Sequence, residues 1–288
     1  MTHILLLGAS GQVGQALLRS APSGVTIVAP SSADVNLRNA PSIRACVREC
    51  APGVIINCAA FTRVDDAEIE TESAYAVNAD APRVLAEEAF RINARLLHIS
   101  TDYVFSGGNA PFATDAAVAP LSVYGASKLA GEQAVLGSKA NAAVVRTSWV
   151  HSGGGVNFIA TAVRVLRNGN VMRVVDDQVS TPTRASSLAA ALWVLADKQN
   201  LQGLLHFTDA GVASWYDVAD CVLETLASVN AAPVSAAVVP VDSSAFPRPA
   251  QRPRVSLLDK HSSWAALGLT PPHWRAGVIT STHELLNA

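Results

Sequence analysis

Charge is scarce in this chain. Only 15% of its 288 residues are charged, half are hydrophobic, and the formal net charge is -2. That balance gives no electrostatic case for nucleic acid or for an anionic membrane surface, both of which normally require clustered Lys and Arg. Cysteine is sparse too. Cys46, Cys50, Cys58 and Cys221 form no CxxC pair, and the first two fall four residues apart inside a helical pattern, so reduced structural thiols are expected and a zinc ribbon is not. The histidines at 3, 98, 151, 206, 261, 273 and 283 are scattered without ligand spacing, and no metal site is expected. No basic leader precedes the first apolar run, which stops at Gly8 after residues 4–7, and nothing reaches membrane-spanning length. A cytoplasmic protein with small-molecule partners is expected.

What is present alternates. The length suits one large or two smaller domains. Residues 4–7 form a strand-like run, followed at once by Gly8-Ala9-Ser10-Gly11-Gln12-Val13-Gly14 and a helix-like stretch over 15–19. Glycines at 8, 11 and 14 allow a sharp turn, close approach to a pyrophosphate and packing of the helix on the sheet. A purely structural turn would carry the same residues. A second strand is expected over 25–29, with Asp34 about twenty residues past the glycine turn, either facing a coenzyme or capping a helix. Residues 54–56 exit through Asn57-Cys58-Ala59-Ala60-Phe61-Thr62, residues 68–92 read as helix interrupted at Pro82, and 96–99 lead into Ser100-Thr101-Asp102-Tyr103. Residues 144–146 repeat the pattern, ending in Thr147-Ser148-Trp149.

Such alternation predicts an α/β fold with a Rossmann-type, doubly wound parallel sheet whose ligands bind beyond the carboxyl ends of the strands. The glycines at 153–155 mark a boundary. Beyond it, helices are expected near 157–168, 186–197 and 215–228, strands near 171–175 and 204–207, and a Pro-rich stretch over 240–253. The expected division is a dinucleotide-binding domain over 1–152, with a returning segment near 184–205. A smaller mixed α/β substrate part would take 153–183 and 206–288. Pro247, Pro249 and Pro253 alternate with Arg248, Arg252 and Arg254, which fits a plain linker or a guanidinium clamp for phosphate.

Tyr124-Gly125-Ala126-Ser127-Lys128 places a phenol and an ammonium four residues apart, on one face of a helix. A nearby ammonium favours the phenolate, so Tyr124 is a candidate general acid or base with a lowered pKa. A surface helix with Tyr and Lys at that spacing would look the same in isolation.

Together, the glycine turn, Asn57-Cys58-Ala59-Ala60, Ser100-Thr101-Asp102-Tyr103-Val104-Phe105 and the Tyr124/Lys128 pair resemble an extended short-chain dehydrogenase/reductase. More narrowly, the chain resembles the dTDP-4-dehydrorhamnose reductase family. Val64-Asp65-Asp66-Ala67-Glu68, Val77-Asn78-Ala79, Arg146-Thr147-Ser148-Trp149-Val150, Asp176-Asp177-Gln178, Pro182-Thr183 and Arg252-Pro253-Arg254-Val255-Ser256 extend the likeness over nearly the whole chain. The resemblance implies NADPH or NADH as coenzyme and reduction of the 4-keto group of dTDP-4-dehydro-L-rhamnose to dTDP-L-rhamnose, a donor for cell-surface polysaccharide. It implies that Gly11, Gln12 and Val13, flanked by Gly8 and Gly14, cradle the pyrophosphate. Asp34 and Val35 would lie by the adenine, and Ala60, Phe61 and Thr62 further along the cofactor. Tyr124 would protonate the ketone oxygen, Thr101 would hydrogen-bond it, and Lys128 would lower the tyrosine pKa and hold the nicotinamide ribose. Asp102, Tyr103 and Trp149 would contact the sugar nucleotide and Arg252 its diphosphate. Standing alone, Thr101 could satisfy a strand end, Asp102 cap a turn and Trp149 fill a core.

Two alternatives stay open: another nucleotide-sugar reductase or an epimerase, and a non-catalytic regulatory subunit such as that of methionine adenosyltransferase. Epimerases usually show a different strand end, and retention of Thr101, Tyr124 and Lys128 speaks against a regulatory subunit. The chain departs from the family pattern at Ser106-Gly107-Gly108 and at Pro111-Phe112-Ala113-Thr114. Some relatives use a glutamate after the glycine turn to hold Mg2+ at a dimer contact; here Gln15-Ala16 stand there, so a metal-bridged dimer is not expected, while a homodimer of another kind stays open. The second strand ends at Ala29-Pro30-Ser31-Ser32 with no adjacent arginine, which leaves the choice between NADPH and NADH unread.

Overall fold

The computed structural model describes residues 2–108 and 110–288. Six strands, β1 (Thr2–Leu7), β2 (Val25–Val28), β3 (Val54–Asn57), β4 (Arg95–Thr101), β5 (Asn141–Thr147) and β6 (Gly203–His206), form the central sheet. Their spatial order is β2-β1-β3-β4-β5-β6, and every neighbouring pair is parallel. The order turns back between β1 and β3, which opens a crevice at their carboxyl ends.

Helices of eight residues or longer are α1 (Gln12–Arg19), α2 (Ala40–Cys50), α3 (Ala81–Arg91), α4 (Val123–Leu136), α5 (Phe158–Arg167), α6 (Ala185–Asp197), α7 (Trp215–Ser228) and α8 (Trp274–Leu286). Side chains alternate across a strand. Ile4 and Leu6 of β1 accordingly pack with α1 and α6, while Leu5 and Leu7 pack with α2 and α3. With both faces covered, Val54, Ile55 and Ile56 in β3 are wholly buried, which explains an apolar run without alternation. The return of the chain through α6 and β6 completes this layer, since β6 pairs with β5.

A second apolar core joins α5, α7 and α8 through Ile159, Leu166, Val222, Leu226, Trp274 and Val278. Beside it Val171–Val175 pairs in parallel with Ala237–Val241. Local sequence sets the starts of these helices: Asn157 caps Ala160 N, and Ser214 with Asp217 forms a reciprocal capping box.

The structure departs from the sequence expectations in several places. Helix α1 begins at Gln12, inside the glycine stretch, rather than at 15. The chain stays helical through Pro82: Thr71–Tyr75 runs into a π-helical turn, Ala76–Asp80, and Pro82 follows directly after it, at the second position of α3. Within that turn Asn78 donates to Phe61 O and Ser127 Oγ, each at 3.0 Å, and accepts from Phe61 N at 2.8 Å. It ties the exit of β3 to α4. The Pro-rich stretch is not a plain linker at its start, since Pro240 stands in a strand opposite Val174. Helix α8 and a shorter helix at His261–Leu267 follow, neither of them expected. No helix of the described residues is long and apolar enough to cross a membrane.

Candidate active site

A cavity of about 1460 Å³ runs across the carboxyl ends of β1 to β5. At its floor lies the glycine turn, with Gly8, Gly11, Gln12, Val13 and Gly14 all lining the space. Gly8 has φ +79, and a Cβ there would lie 2.5 Å from Ala59 N; one on Gly14 would lie 2.3 Å from Gly8 O. Only glycine lets the turn close against itself and against the β3 exit. Gly11 caps α1 without a side chain, so the first N–H groups of the helix remain available to an anion. The Gln12 side chain does not join them. Its Nε2 donates to Val150 O at 3.2 Å, and its Oε1 accepts from Ser152 Oγ and Asn157 Nδ2, both at 3.0 Å. A pyrophosphate would therefore meet the Gln12 backbone.

Toward β2 the cavity is lined by Ser31, Ser32, Val35 and Arg38. Asp34, expected beside the adenine, does not line the cavity: its Oδ2 accepts from Ser31 N at 2.9 Å and from Ser31 Oγ at 2.7 Å, which lowers its pKa. It closes a local turn, as Asp does when a backbone N–H lies within reach. Of the β3 exit, Ala60 and Thr62 line the cavity, but the Phe61 side chain does not. It is buried with Ala67, Ala74 and Val77, because alternation along an extended exit sends neighbouring side chains opposite ways.

In the middle of the cavity Thr101, Tyr124 and Lys128 come together. Ser122 caps α4 by accepting from Gly125 N at 3.2 Å, and Glu68 Oε1 accepts from Val123 N at 2.8 Å, so the helix start that carries Tyr124 is held from two sides. Lys128, 2% exposed, donates from Nζ to Ile99 O at 2.6 Å. The expected depression of the tyrosine pKa is not what the structure shows. Burial raises Tyr124 to about 12, against a lowering by the Thr101 hydroxyl. Burial brings Lys128 down to about 8, with the negative charge of Glu132 opposing it. In this slot desolvation is the largest influence on both groups. Beneath it, burial and the Lys128 charge hold His98 well below the usual imidazole range, and Asn57 Nδ2 donates to its Nδ1 at 3.1 Å.

Ser100 Oγ and Thr147 Oγ1 are buried at the cavity wall without a hydrogen-bond partner among the described residues. Buried hydroxyls facing open space suit a polar ligand. With the glycine floor, they fit a dinucleotide.

The far end is built differently from the sequence expectation. Asp102 is buried and lines the cavity, but its carboxylate accepts from Ser256, Ser180 and Thr101 hydroxyls, and burial raises it to about 6. Trp149 lines the cavity and stacks on Trp215. Tyr103 does not line it; its ring meets that of Tyr124 edge-on at 5.8 Å, and burial pushes its pKa up. Arg252 also stands off the wall, gripping Asp65 with both guanidinium nitrogens at 2.9 and 2.8 Å. Sequence reasoning missed Arg38, Ser100, Thr147, Trp215 and the Asp65 partner. Ser100 and Thr147 were legible as strand-end neighbours of Thr101 and Trp149, while the others depend on contacts distant in sequence.

Comparison with known proteins supplies the rest. A family model described as "RmlD substrate binding domain" matches residues 1–287. A dTDP-4-dehydrorhamnose reductase of Mycolicibacterium smegmatis is 42% identical over 292 residues, covering 99% of this chain and 86% of that one. A probable dTDP-4,6-dihydroxy-2-methyloxan-3-one 4-ketoreductase of Streptomyces antibioticus is 39% identical, with 99% and 96% covered. The crystal structure of dTDP-4-dehydrorhamnose reductase from Bacillus anthracis in complex with NADP superposes with a TM-score of 0.91 at 30% identity, covering 100% of this chain and 99% of that one.

Proposed function

This chain belongs to the dTDP-4-dehydrorhamnose reductases of the short-chain dehydrogenase/reductase superfamily, and on that premise we propose how its residues work. It is a nicotinamide-dependent oxidoreductase that reduces the 4-keto group of dTDP-4-dehydro-L-rhamnose to give dTDP-L-rhamnose. The observation that carries the assignment of roles is the meeting of Thr101, Tyr124 and Lys128 in one cavity with the glycine turn.

When bound, reduced nicotinamide supplies the hydride that attacks the ketone carbon. Charge then builds on the ketone oxygen, and a positioned proton donor is required. Tyr124, raised to about 12, is a neutral phenol at physiological pH and holds the proton that the oxygen takes up. Thr101 donates a second hydrogen bond to that oxygen by turning its hydroxyl from Asp102 Oδ1. Lys128 keeps its ammonium beside the nicotinamide ribose, anchored by Ile99 O. Backbone N–H groups of Gln12 and Val13 receive the pyrophosphate at the start of α1, while Gly11, whose own N–H donates to Gly8 O at 3.1 Å, shapes the turn that presents them. Val35, Ala60 and Thr62 flank the coenzyme along its length.

Trp149 and Asp102 face the sugar nucleotide, with Tyr103 and the Arg252/Asp65 pair behind them. The coenzyme half takes residues 1–152 together with 184–205, and the second apolar core carries the sugar side over 153–183 and 206–288. Four free cysteines support a reducing, cytoplasmic setting.

A related dTDP-linked keto sugar is the second substrate reading, favoured by the Streptomyces antibioticus ketoreductase. The test follows oxidation of reduced nicotinamide with dTDP-4-dehydro-L-rhamnose and identifies the product. Conversion to dTDP-L-rhamnose is expected; turnover confined to another dTDP-linked keto sugar would overturn the substrate assignment.

A further inference from the structure

Thr101 has a single hydroxyl proton and two neighbours that compete to direct it. Its Oγ1 lies 3.2 Å from Asp102 Oδ1, accepts from Tyr103 N at 3.2 Å, and faces the Tyr124 phenol. A hydroxyl carries one donor and two acceptor lone pairs. While Asp102 is ionised its Oδ1 can only accept, so it draws the Thr101 proton away from the cavity. With a proton on Oδ1 the bond runs the other way. Tyr103 N and the carboxyl O–H then fill both lone pairs of Thr101 Oγ1, and the Thr101 proton is left to the cavity.

The surroundings decide which oxygen takes that proton. Asp102 Oδ2 accepts from Ser256 Oγ and from Ser180 Oγ, the latter at 3.2 Å, and both serines are buried. The Ser256 hydroxyl has no other acceptor among the described residues, so a proton on Oδ2 would leave it buried and unpaired. Oδ1 is therefore the site of protonation. No cation holds the carboxyl in its charged form. The titratable groups facing it are the phenols of Tyr103 and, from α4, Tyr124. The cations of the surrounding elements are engaged elsewhere: Lys128 on Ile99 O, Arg146 on Glu132, Arg252 on Asp65 and Lys260 on Thr181. Burial accordingly lifts Asp102 to about 6, and the negative charge of bound ligands favours the neutral form further.

We propose that Asp102 works as a neutral carboxylic acid, a positioning residue whose Oδ1–H holds Thr101 Oγ1 so that the Thr101 proton points at the ketone oxygen, while Ser180 and Ser256 fix the carboxyl from the sugar side of the fold. The proposal rests on the reductase reading given above. Asp102 gives up no proton in the reaction: the coenzyme supplies hydride to the ketone carbon and Tyr124 the proton to its oxygen. A donor that feeds Thr101 also polarises it, which strengthens its bond to the oxygen as negative charge builds there.

Rates of reduced-nicotinamide oxidation with dTDP-4-dehydro-L-rhamnose, followed from about pH 5 to about pH 8 in the full chain, test this. In the parent, kcat/KM is expected to step down on the order of tenfold as pH rises through about 6, the scale of one hydrogen bond to a charged group, and then to hold until Lys128, at about 8, loses its charge. Asp102→Asn places a permanent N–H donor where the acid O–H stood, so the step should vanish. The ratio of variant to parent kcat/KM should then climb on the order of tenfold between about pH 5 and about pH 7.5. Ser256→Ala removes a hydrogen bond that lowers the Asp102 pKa, so its step should move to higher pH. Each readout is a dependence on pH within one protein, which a uniform loss from poor folding does not alter. A parent kcat/KM that rises through this range, an Asp102→Asn ratio constant with pH, or a step unmoved in Ser256→Ala would each overturn the positioning role. Absence of coenzyme oxidation by the parent at every pH would instead overturn the reductase reading, and the proposal with it.

Discussion

Trp149 and Trp215 lie face to face, with ring centroids 3.6 Å apart and planes 9° from parallel. Trp149 holds a positive φ of 45°, a conformation that a bulky residue adopts only when its surroundings enforce it. Trp215 is braced in turn by Phe158, 4.8 Å away. One wall of the cavity is thus set by side chains of the second apolar core rather than by the central sheet.

Removing the brace should affect the sugar nucleotide selectively. Trp215→Ala is expected to raise KM for the sugar nucleotide on the order of tenfold, the scale of a lost aromatic pair together with its packing. Coenzyme affinity, measured by titration, should stay within about twofold. An unchanged KM would show that Trp149 keeps its place without the stack.

The pH profile of kcat/KM reports groups of the free enzyme. Tyr124, at about 12, stays protonated over the usual range, whereas Lys128, at about 8, loses its charge as pH rises through that value. Activity should therefore fall above about pH 8, and in Lys128→Arg that limb should move to higher pH because a guanidinium keeps its charge. A limb that stays in place in the variant would assign it to another group.

Asp102 offers a test of stability. Its folded pKa of about 6 lies above the ordinary 3.8, because burial opposes ionisation more than the Ser256, Ser180 and Thr101 hydroxyls favour it. A raised carboxyl contributes stability that is present below about pH 4 and is lost as pH climbs through about 6. Asp102→Asn should escape that loss, being more stable than the parent at pH 7.5 by up to about 3 kcal/mol and similar at pH 4. Denaturant melts at the two pH values measure it; an equal difference at both would contradict the burial argument.

Glu132 of α4 and Arg146 of β5 form an ion pair whose side chains are each 3% exposed, with Arg146 Nε 2.9 Å from Glu132 Oε2. The pair pins the helix that carries Tyr124 and Lys128 to the strand that ends at Thr147. Glu132→Ala leaves a buried guanidinium without its counter-charge and should cost roughly 3–5 kcal/mol. A loss below about 1 kcal/mol in a melt would show the pair to be dispensable.

Local patterns were legible in the sequence because local physics enforces them. The glycine turn, the strand exits at Ala60, Thr62, Thr101 and Trp149, and the Tyr124/Lys128 spacing all follow from a few consecutive residues, and the cavity collects them. The parallel sheet followed from the alternation of strand-like and helix-like stretches. What depended on distant partners was hidden. Arg252 could be read as a phosphate clamp only while Asp65, on a separate helix, was unknown as its partner. Lys128 was expected to act on Tyr124, yet the depth of the slot dominates both pKa values. Asp34 also closes a local turn onto Ser31, a contact that the spacing from the glycine turn did not reveal. Helix α8 escaped notice because its apolar residues are not gathered on one face of the sequence pattern; it is recruited by the packing of Trp274 and Val278.

The most direct test of the account replaces Tyr124 with Phe and follows reduced-nicotinamide absorbance with dTDP-4-dehydro-L-rhamnose, alongside a titration of coenzyme binding. Removal of the proton donor should lower kcat by about 10²–10⁴-fold, the usual scale of general-acid catalysis, with coenzyme affinity changed by no more than about twofold. Turnover in Tyr124→Phe close to that of the parent would contradict the acid role and, with it, the chemistry assigned to this cavity.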